Sequence, residues 1–274
     1  MPSEYRVKVQ NRISEYEKNQ LWDKDVEDDP ESSVLLPNQV DYLNKKLSSK
    51  ILTKIANSAA VSFYEKMIKN GDFIIKEING LENFRKVNGG AFITCNHFSV
   101  LDNYAIYRSI KNELNGRPLY RVIREGNYTS FKGLFGLIFR HCNTLPLSSN
   151  IETMKKFVSA VSVLLNRGEK ILIYPEQAMW LNYKKPRPMK KGAFNLAAKN
   201  SVPVIPSFIT MKDSDKLDSD GYPVQELTVW FLPAIYPKKG ITISENAEYM
   251  KQENYKLWKE LYEKVYGIPL TYGE

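Results

Sequence analysis

The chain has 274 residues, of which 43% are hydrophobic and 26% charged, a balance typical of a globular protein with a substantial core. This composition excludes disordered, collagen-like and coiled-coil chains. Lysine and arginine outnumber aspartate and glutamate by 39 to 31, giving a formal charge of +8. The excess favours an anionic partner: a nucleic acid, an anionic membrane or a phosphorylated small molecule.

Cysteine content and apolar run length predict where the protein resides. Its two cysteines, Cys95 and Cys142, come without a secretory signal, so we expect reduced thiols in a cytoplasmic protein. The longest apolar runs fall far short of the roughly 20 residues that cross a bilayer. We therefore expect a protein that does not cross the membrane.

The first 70 residues divide into two segments. Residues 1–37 are polar, end in an acidic stretch at 23–31 and are expected to form a peripheral arm after a possible first helix. Residues 38–70 carry apolar side chains every three or four positions, which predicts an amphipathic helix or two in succession: Val40, Leu43, Leu47, Ile51, Ile55, Ala59, Phe63 and Met67. Four lysines accompany this stripe: Lys45, Lys46, Lys50 and Lys54. The segment is expected either to lie in a membrane interface or to pack on the core.

Residues 71–274 are expected to form one domain in which short apolar runs alternate with helical patterns. Strands are predicted at 72–78, 91–95, 119–123, 144–147, 170–174, 202–209 and 226–232. Helices are predicted at 101–114, 131–140, 151–167, 191–199 and 245–266. This alternation predicts an α/β fold with a mixed, largely parallel central sheet flanked by helices. Chemistry in such folds usually lies at the carboxyl ends of strands.

One of only two histidines falls at such a strand exit, in the sequence Cys95-Asn96-His97-Phe98-Ser99-Val100-Leu101-Asp102. Five positions along a continuous helix would place His97 and Asp102 about 140° apart. The two side chains can meet if His97 precedes the helix and Asp102 lies in its first turns, with Ser99 as a plausible N-cap. An aspartate bonded to one ring nitrogen leaves the other free to take a proton from a hydroxyl.

With its companion motifs, the chain resembles the glycerolipid acyltransferases typified by lysophosphatidic acid acyltransferase. The hallmark of that family is Asn-His, four residues, Asp, which matches Asn96, His97 and Asp102. Three further blocks are similar to the family's in the same order over residues 73–210: residues 78–83, Ile173-Tyr174-Pro175-Glu176 and residues 202–206. The resemblance implies the glycerol-3-phosphate acyltransferase-like fold. It also implies acyl transfer from acyl-CoA or acyl carrier protein to a hydroxyl of a lysophospholipid or glycerol phosphate.

By this resemblance His97 is the general base and Asp102 orients it, with no acyl-enzyme, metal or bound cofactor. Other site residues are expected to bind substrate: Asn96, Ser99, Glu176 and Gln177. The chain departs from the family at residues 145–149 and 177–179, where arginines that hold the acceptor phosphate are missing. We expect either that basic residues replace them, namely Lys184, Lys185, Arg187 or Arg140, or that a larger lyso-lipid or glycolipid headgroup lies on Trp180 and Tyr183. Trp180 could also be an interfacial anchor or part of a lid.

Several alternatives remain open. Cys95, His97, His141 and Cys142 form a zinc ligand set of unusual spacing, and Cys95 is a weak candidate nucleophile. Hydrolysis of the thioester by water at His97 would keep the fold and change the reaction. Binding of RNA or single-stranded DNA lacks a supporting motif. The favoured interpretation is a peripheral enzyme on the inner face of the membrane, whose partners are the acyl donor, possibly an acyl carrier protein, a lipid acceptor and anionic lipid, without nucleic acid.

Overall fold

The structure, a computed structural model, describes residues 3–273. Within that part of the chain the helices are α1 (Glu4–Lys18), α2 (Leu47–Asn70), α3 (Leu81–Arg85), α4 (Asp102–Ile110), α5 (Glu125–Thr129), α6 (Gly133–His141), α7 (Ile151–Asn166), α8 (Gly192–Lys199) and α9 (Ile243–Tyr266). The strands are β1 (Ile74–Asn79), β2 (Ala91–Thr94), β3 (Leu119–Ile123), β4 (Thr144–Pro146), β5 (Lys170–Ile173), β6 (Val204–Leu217) and β7 (Pro223–Phe231).

The strands form one mixed sheet in the order β1-β7-β6-β2-β5-β3-β4. Every neighbouring pair is parallel except β6 and β7, which pair antiparallel as a long hairpin. β2 and β5 lie in the centre, and their carboxyl ends open onto the same edge. The predicted α/β fold with a mixed, largely parallel sheet is confirmed.

Helices cover both faces of this sheet, which is why the central strands are apolar without alternation. All four residues of β2 are buried. One hydrophobic core joins the sheet to α7, α8 and α9, with Phe157, Phe194 and Trp258 among its largest side chains. A second core on the other face joins the sheet to α2, α3 and α4. The central strands β2 and β5 are thus packed on both faces, which fixes the position of their carboxyl ends.

Several element boundaries differ from the predicted ones. The helix expected from residue 38 begins at Leu47, because Asn44 has a left-handed backbone with φ of 49° and the Asp41 carboxylate accepts the Lys46 amide. The strand expected at 202–209 continues to Leu217, since its outer half pairs with β7. The helix expected at 101–114 ends at Ile110 and continues as turns. The five-residue helices α3 and α5 were not predicted.

The sequence suggested a peripheral N-terminal arm. In the structure this arm packs on the domain. Val9, Val26 and Leu35 are buried. Val9 and Val26 share a hydrophobic cluster with Trp180. The acidic stretch has no helix or strand, in agreement with its composition, yet it lies against the protein because its carboxylates meet basic partners described below.

Candidate active site

The loop that follows β2 carries the predicted His97 and Asp102 pair. His97 precedes α4 and Asp102 is its first residue, so the two side chains face each other as the spacing requires. His97 Nδ1 lies 2.8 Å from Asp102 Oδ2. The Asp102 side chain has no exposure, and 17% of the His97 side chain is exposed. This geometry leaves Nε2 as the ring nitrogen that can exchange a proton with a substrate.

Two backbone amides also bind the Asp102 carboxylate oxygen that faces His97. The N–H groups of Phe98 and Ser99 donate to Asp102 Oδ2 at 3.3 and 3.4 Å. Ser99 was expected to cap α4 through its hydroxyl; instead its Oγ accepts the amide of Leu101 at 3.2 Å, which closes the turn before the helix. Asp102 therefore accepts two amides of the loop that precedes α4, and the helix begins after Leu101 without a side-chain cap.

Tyr174 is a site residue that the sequence reasoning did not assign a role. It follows β5 directly, and its hydroxyl donates to Asp102 Oδ1 at 2.8 Å. Its ring stacks on the His97 imidazole with centroids 4.0 Å apart and planes inclined by 17°. The signal in the sequence was the tyrosine itself, which lies at the exit of a predicted strand directly before Pro175-Glu176.

Glu176 and Arg187 form a buried ion pair behind the histidine. Arg187 Nη2 lies 3.0 Å from Glu176 Oε2, and the side chains are 1% and 2% exposed. Glu176 Oε2 also accepts the backbone amide of His97 at 3.1 Å, while Arg187 Nη1 donates to the carbonyl of Trp22. Both residues were expected to bind substrate. Because every one of these contacts is internal, in this structure they position the His97 loop instead.

Asn96 and Gln177 were also expected to bind substrate, and the structure places them in different surroundings. The Asn96 side chain is 2% exposed, donates to the carbonyl of Ile209 at 3.0 Å and accepts the amide of Ile209 at 2.8 Å. It therefore fastens the end of β2 to β6. Gln177 is exposed and has a left-handed backbone with φ of 67°, a conformation that favours glycine.

Trp180 is fully buried, contrary to its expected role as an anchor or headgroup platform. Its ring stacks on Trp22 with centroids 5.8 Å apart and faces Tyr183 edge-on. Its indole N–H donates to the carbonyl of Lys24 at 2.9 Å, and the Arg187 guanidinium lies over the ring at 4.7 Å. Because the arm covers this ring, Trp180 does not contact a membrane or a headgroup in this structure.

The arm also pairs with the basic residues that were expected to bind phosphate. Lys185 lies 2.7 Å from Glu17, and Lys190 lies 3.0 Å from Asp23. Lys184 pairs with Asp213 of β6 at 3.5 Å. The loop that was interpreted as a replacement phosphate site is therefore largely neutralised by carboxylates of the chain itself.

The arm brings further charge close to the site. Arg124, which follows β3, is held by the carboxylates of Asp25, at 2.6 Å, and Asp29. Burial, and then the charge of Asp29, raises the pKa of Glu27 in the same stretch. The acidic stretch is therefore fixed beside Arg124 at the end of β3.

The remaining candidates lie elsewhere or are inert. Arg140 donates to the carbonyl of Phe131 at 2.9 Å and lines, with His141, a separate cavity of about 180 Å³ near the start of α2. Burial raises the pKa of the Cys95 thiol well above its usual range, which disfavours a nucleophilic thiolate. Cys95 and Cys142 belong to different hydrophobic clusters, which does not favour the zinc interpretation.

Comparisons with known proteins concern the domain and its fold. Residues 76–210, which contain His97, Asp102, Glu176 and Arg187, match the model of the family described as Acyltransferase. A search of curated proteins found no match. Among solved structures the chain is similar to the 1-acyl-sn-glycerophosphate (LPA) acyltransferase PlsC from Thermotoga maritima, at 16% sequence identity, a TM-score of 0.52 and 81% coverage of each chain, a likeness of fold. Residues 76–210 therefore match an acyltransferase domain, as the sequence motifs predicted, and the structural likeness confirms the predicted fold.

Proposed function

We propose that the protein transfers a fatty acyl group from an acyl thioester, acyl-CoA or acyl carrier protein, to a hydroxyl of a lysophospholipid or glycerol phosphate-type acceptor. The observation that carries this proposal is the 2.8 Å contact between His97 Nδ1 and Asp102 Oδ2 at the exit of a central strand. It fits a general base held by an orienting carboxylate, and the family match supports acyl transfer rather than another reaction of such a pair.

In this mechanism His97 Nε2 takes the proton of the acceptor hydroxyl as its oxygen attacks the thioester carbonyl carbon. A C–O bond forms, the C–S bond breaks, and the proton passes from the imidazolium to the departing thiolate. Asp102 keeps the ring in one orientation and stabilises its positive charge. The products are an ester and a free thiol, and the protein forms no covalent intermediate.

We further propose that a membrane face presents the lipid acceptor. This face consists of exposed apolar residues on α2 and α6: Leu47, Ile51, Ile55, Leu134 and Phe135. The three residues of α2 are spaced by one helical turn and are at least half exposed, so they are not the core stripe that the sequence allowed. Exposed lysines flank them on the same segment: Lys45, Lys46, Lys50 and Lys54. Apolar side chains bordered by lysines suit the interface of an anionic bilayer.

The same helix connects the membrane face to the catalytic loop. The Tyr64 ring of α2 stacks on Tyr104 of α4 with centroids 4.6 Å apart, and Phe63 contacts Phe135 of α6 at 5.9 Å. Val100, in the loop between His97 and Asp102, is 47% exposed.

None of the helices in residues 3–273 is long and apolar enough to cross a membrane.

Product analysis tests the proposal. The purified protein is incubated with palmitoyl-CoA and vesicles that contain lysophosphatidic acid, with thiol release and the lipid product followed by absorbance and mass spectrometry. We expect thiol release that depends on the acceptor and equals the phosphatidic acid formed. Monoacylglycerol and lyso-glycolipids in place of lysophosphatidic acid test the alternative acceptors.

Two outcomes would contradict this function. Equal thiol release without any acceptor would show that water is the acceptor and that the protein is a thioester hydrolase. No thiol release from acyl-CoA or acyl carrier protein with any hydroxyl acceptor would contradict acyl transfer altogether. The His97→Ala variant, purified in the same way, gives the background for thiol release and for product formation.

A further inference from the structure

Tyr174 closes the His97 and Asp102 pair from the side of β5. Its hydroxyl lies 2.8 Å from Asp102 Oδ1, and its ring lies parallel to the His97 imidazole at a centroid distance of 4.0 Å. One side chain therefore touches both members of the pair, by two different interactions. Neither contact follows from the His-x4-Asp spacing.

The hydroxyl serves the Asp102 oxygen that does not face the histidine. Oδ2 receives His97 Nδ1 and two backbone amides, whereas Oδ1 receives the Tyr174 hydroxyl at 2.8 Å and the Asn103 side-chain amide at a longer 3.3 Å. A fully buried carboxylate needs such donors to remain ionised. Burial and the charge of Asp102 raise the pKa of Tyr174 well above its usual range, so the hydroxyl keeps its proton and donates.

We propose that Tyr174 is a positioning residue of the acyl-transfer reaction, which rests on the proposed role of His97 as general base. Its hydroxyl fixes the Asp102 carboxylate so that Oδ2 faces His97, and its ring supports the imidazole while that ring carries the acceptor's proton. The face of an aromatic ring attracts a cation, so the stack favours the imidazolium that forms as the hydroxyl attacks.

The two interactions act on His97 with opposite sign. The hydroxyl dipole points its positive end at Asp102 and offsets part of the negative charge that His97 experiences. Removing only the hydroxyl should therefore make His97 hold its proton more tightly. Removing the ring as well withdraws the cation–π attraction and should make His97 release its proton more easily than in the hydroxyl-free variant.

Other charged and titratable groups around this stack stay in place in both variants. They come from β3, α4, the loops after β2 and β5, and the arm: Arg121, Asp102, Cys95, Glu176, Arg187 and Glu27. Because they are common to every protein compared, differences between the variants report Tyr174 itself.

Histidine NMR reads this effect without any assay of activity. The chain has only two histidines, so ring signals of histidine-labelled protein are assigned with a His141→Gln variant and titrated against pH. We expect the midpoint of the His97 titration to be about half a pH unit higher in Tyr174→Phe than in the wild type. In Tyr174→Leu the midpoint should be lower than in Tyr174→Phe. In Tyr174→Phe, kcat should fall about tenfold and the acidic limb of the pH–rate profile should move with the NMR midpoint.

Tyr104→Phe is the matched control. It also removes a tyrosine hydroxyl that donates to a carboxylate, that of Glu65 at 2.9 Å, but one that does not touch Asp102. The His97 midpoint should not change in this variant. A Tyr174→Phe protein that is folded and has the wild-type midpoint and kcat would overturn the inference.

The inference and the proposed function fail in different ways. If His97→Ala is inactive while Tyr174→Phe changes neither the midpoint nor kcat, only the role of Tyr174 is wrong. If His97→Ala retains its activity, the general base is wrong and the reaction role of Tyr174 is wrong with it, whatever the NMR midpoints show.

Discussion

Arg187 Nη2 and Glu176 Oε2 lie 3.0 Å apart in a place that solvent does not reach. Glu176 accepts the amide of His97, so the ion pair fixes the backbone from which the His97 side chain projects. Burial lowers the pKa of Arg187, and the neighbouring Glu176 charge opposes that effect. The pair therefore belongs to the framework of the site, in contrast to the phosphate-binding role that the sequence suggested for Arg187.

Replacing Arg187 by alanine should lower the free energy of unfolding by about 3–5 kcal/mol, because it leaves the Glu176 carboxylate buried without its partner. Urea unfolding followed by fluorescence measures this change. Lys184→Ala is the control: its partially exposed pair with Asp213 should contribute less than about 1 kcal/mol. An Arg187→Ala protein of wild-type stability with a raised KM for lysophosphatidic acid would favour the phosphate-binding role instead.

Trp180→Ala should destabilise the protein by about 3–5 kcal/mol and loosen the arm, because the ring is fully buried between Trp22, Tyr183 and Arg187. Urea unfolding and the rate of proteolysis within residues 19–31 measure the two effects. Tyr236→Ala, at a side chain 53% exposed, should change stability by less than about 0.5 kcal/mol. Unchanged stability together with loss of vesicle binding would restore Trp180 as a membrane anchor.

The triple variant Leu47→Gln, Ile51→Gln and Ile55→Gln should bind anionic vesicles about 100-fold or more weakly, because each side chain gains roughly 1.5–3 kcal/mol on leaving water. Vesicle flotation at low and high salt measures the loss, and salt should also weaken the wild-type protein because lysines contribute. Ile151→Gln is the control, at a residue 71% exposed on α7. Equal binding by the triple variant and the control would contradict the membrane face.

Local sequence patterns predicted most of the sheet and the meeting of His97 with Asp102. The apolar run of β2 lies between Gly89-Gly90 and a polar loop, so its limits are visible in the chain. His97 and Asp102 are five residues apart, and their meeting needs only a strand exit followed by a helix start. Features that depend on residues close together in the sequence can therefore be predicted from a single sequence.

Contacts between distant residues could not be predicted in this way. Trp180 is buried by residues of an arm more than 150 positions earlier, and the acids of that arm neutralise Lys185 and Lys190. Periodicity predicted an apolar stripe on α2 but not its burial: Ile51 and Ile55 of that stripe are exposed, whereas the buried residues of the helix, Ala56 and Tyr64, lie outside it. A single sequence reveals a face of a helix and leaves its partner undetermined.

The rate of acyl transfer by His97→Ala, compared with His141→Ala, tests the central claim most directly. Both variants remove a histidine from the same chain, and only His97 contacts Asp102. With palmitoyl-CoA and lysophosphatidic acid vesicles, we expect His97→Ala to lose at least about 100-fold in kcat while keeping its fold, and His141→Ala to retain the wild-type rate. A folded His97→Ala protein with more than about a tenth of the wild-type rate would contradict the assignment of His97 as the general base.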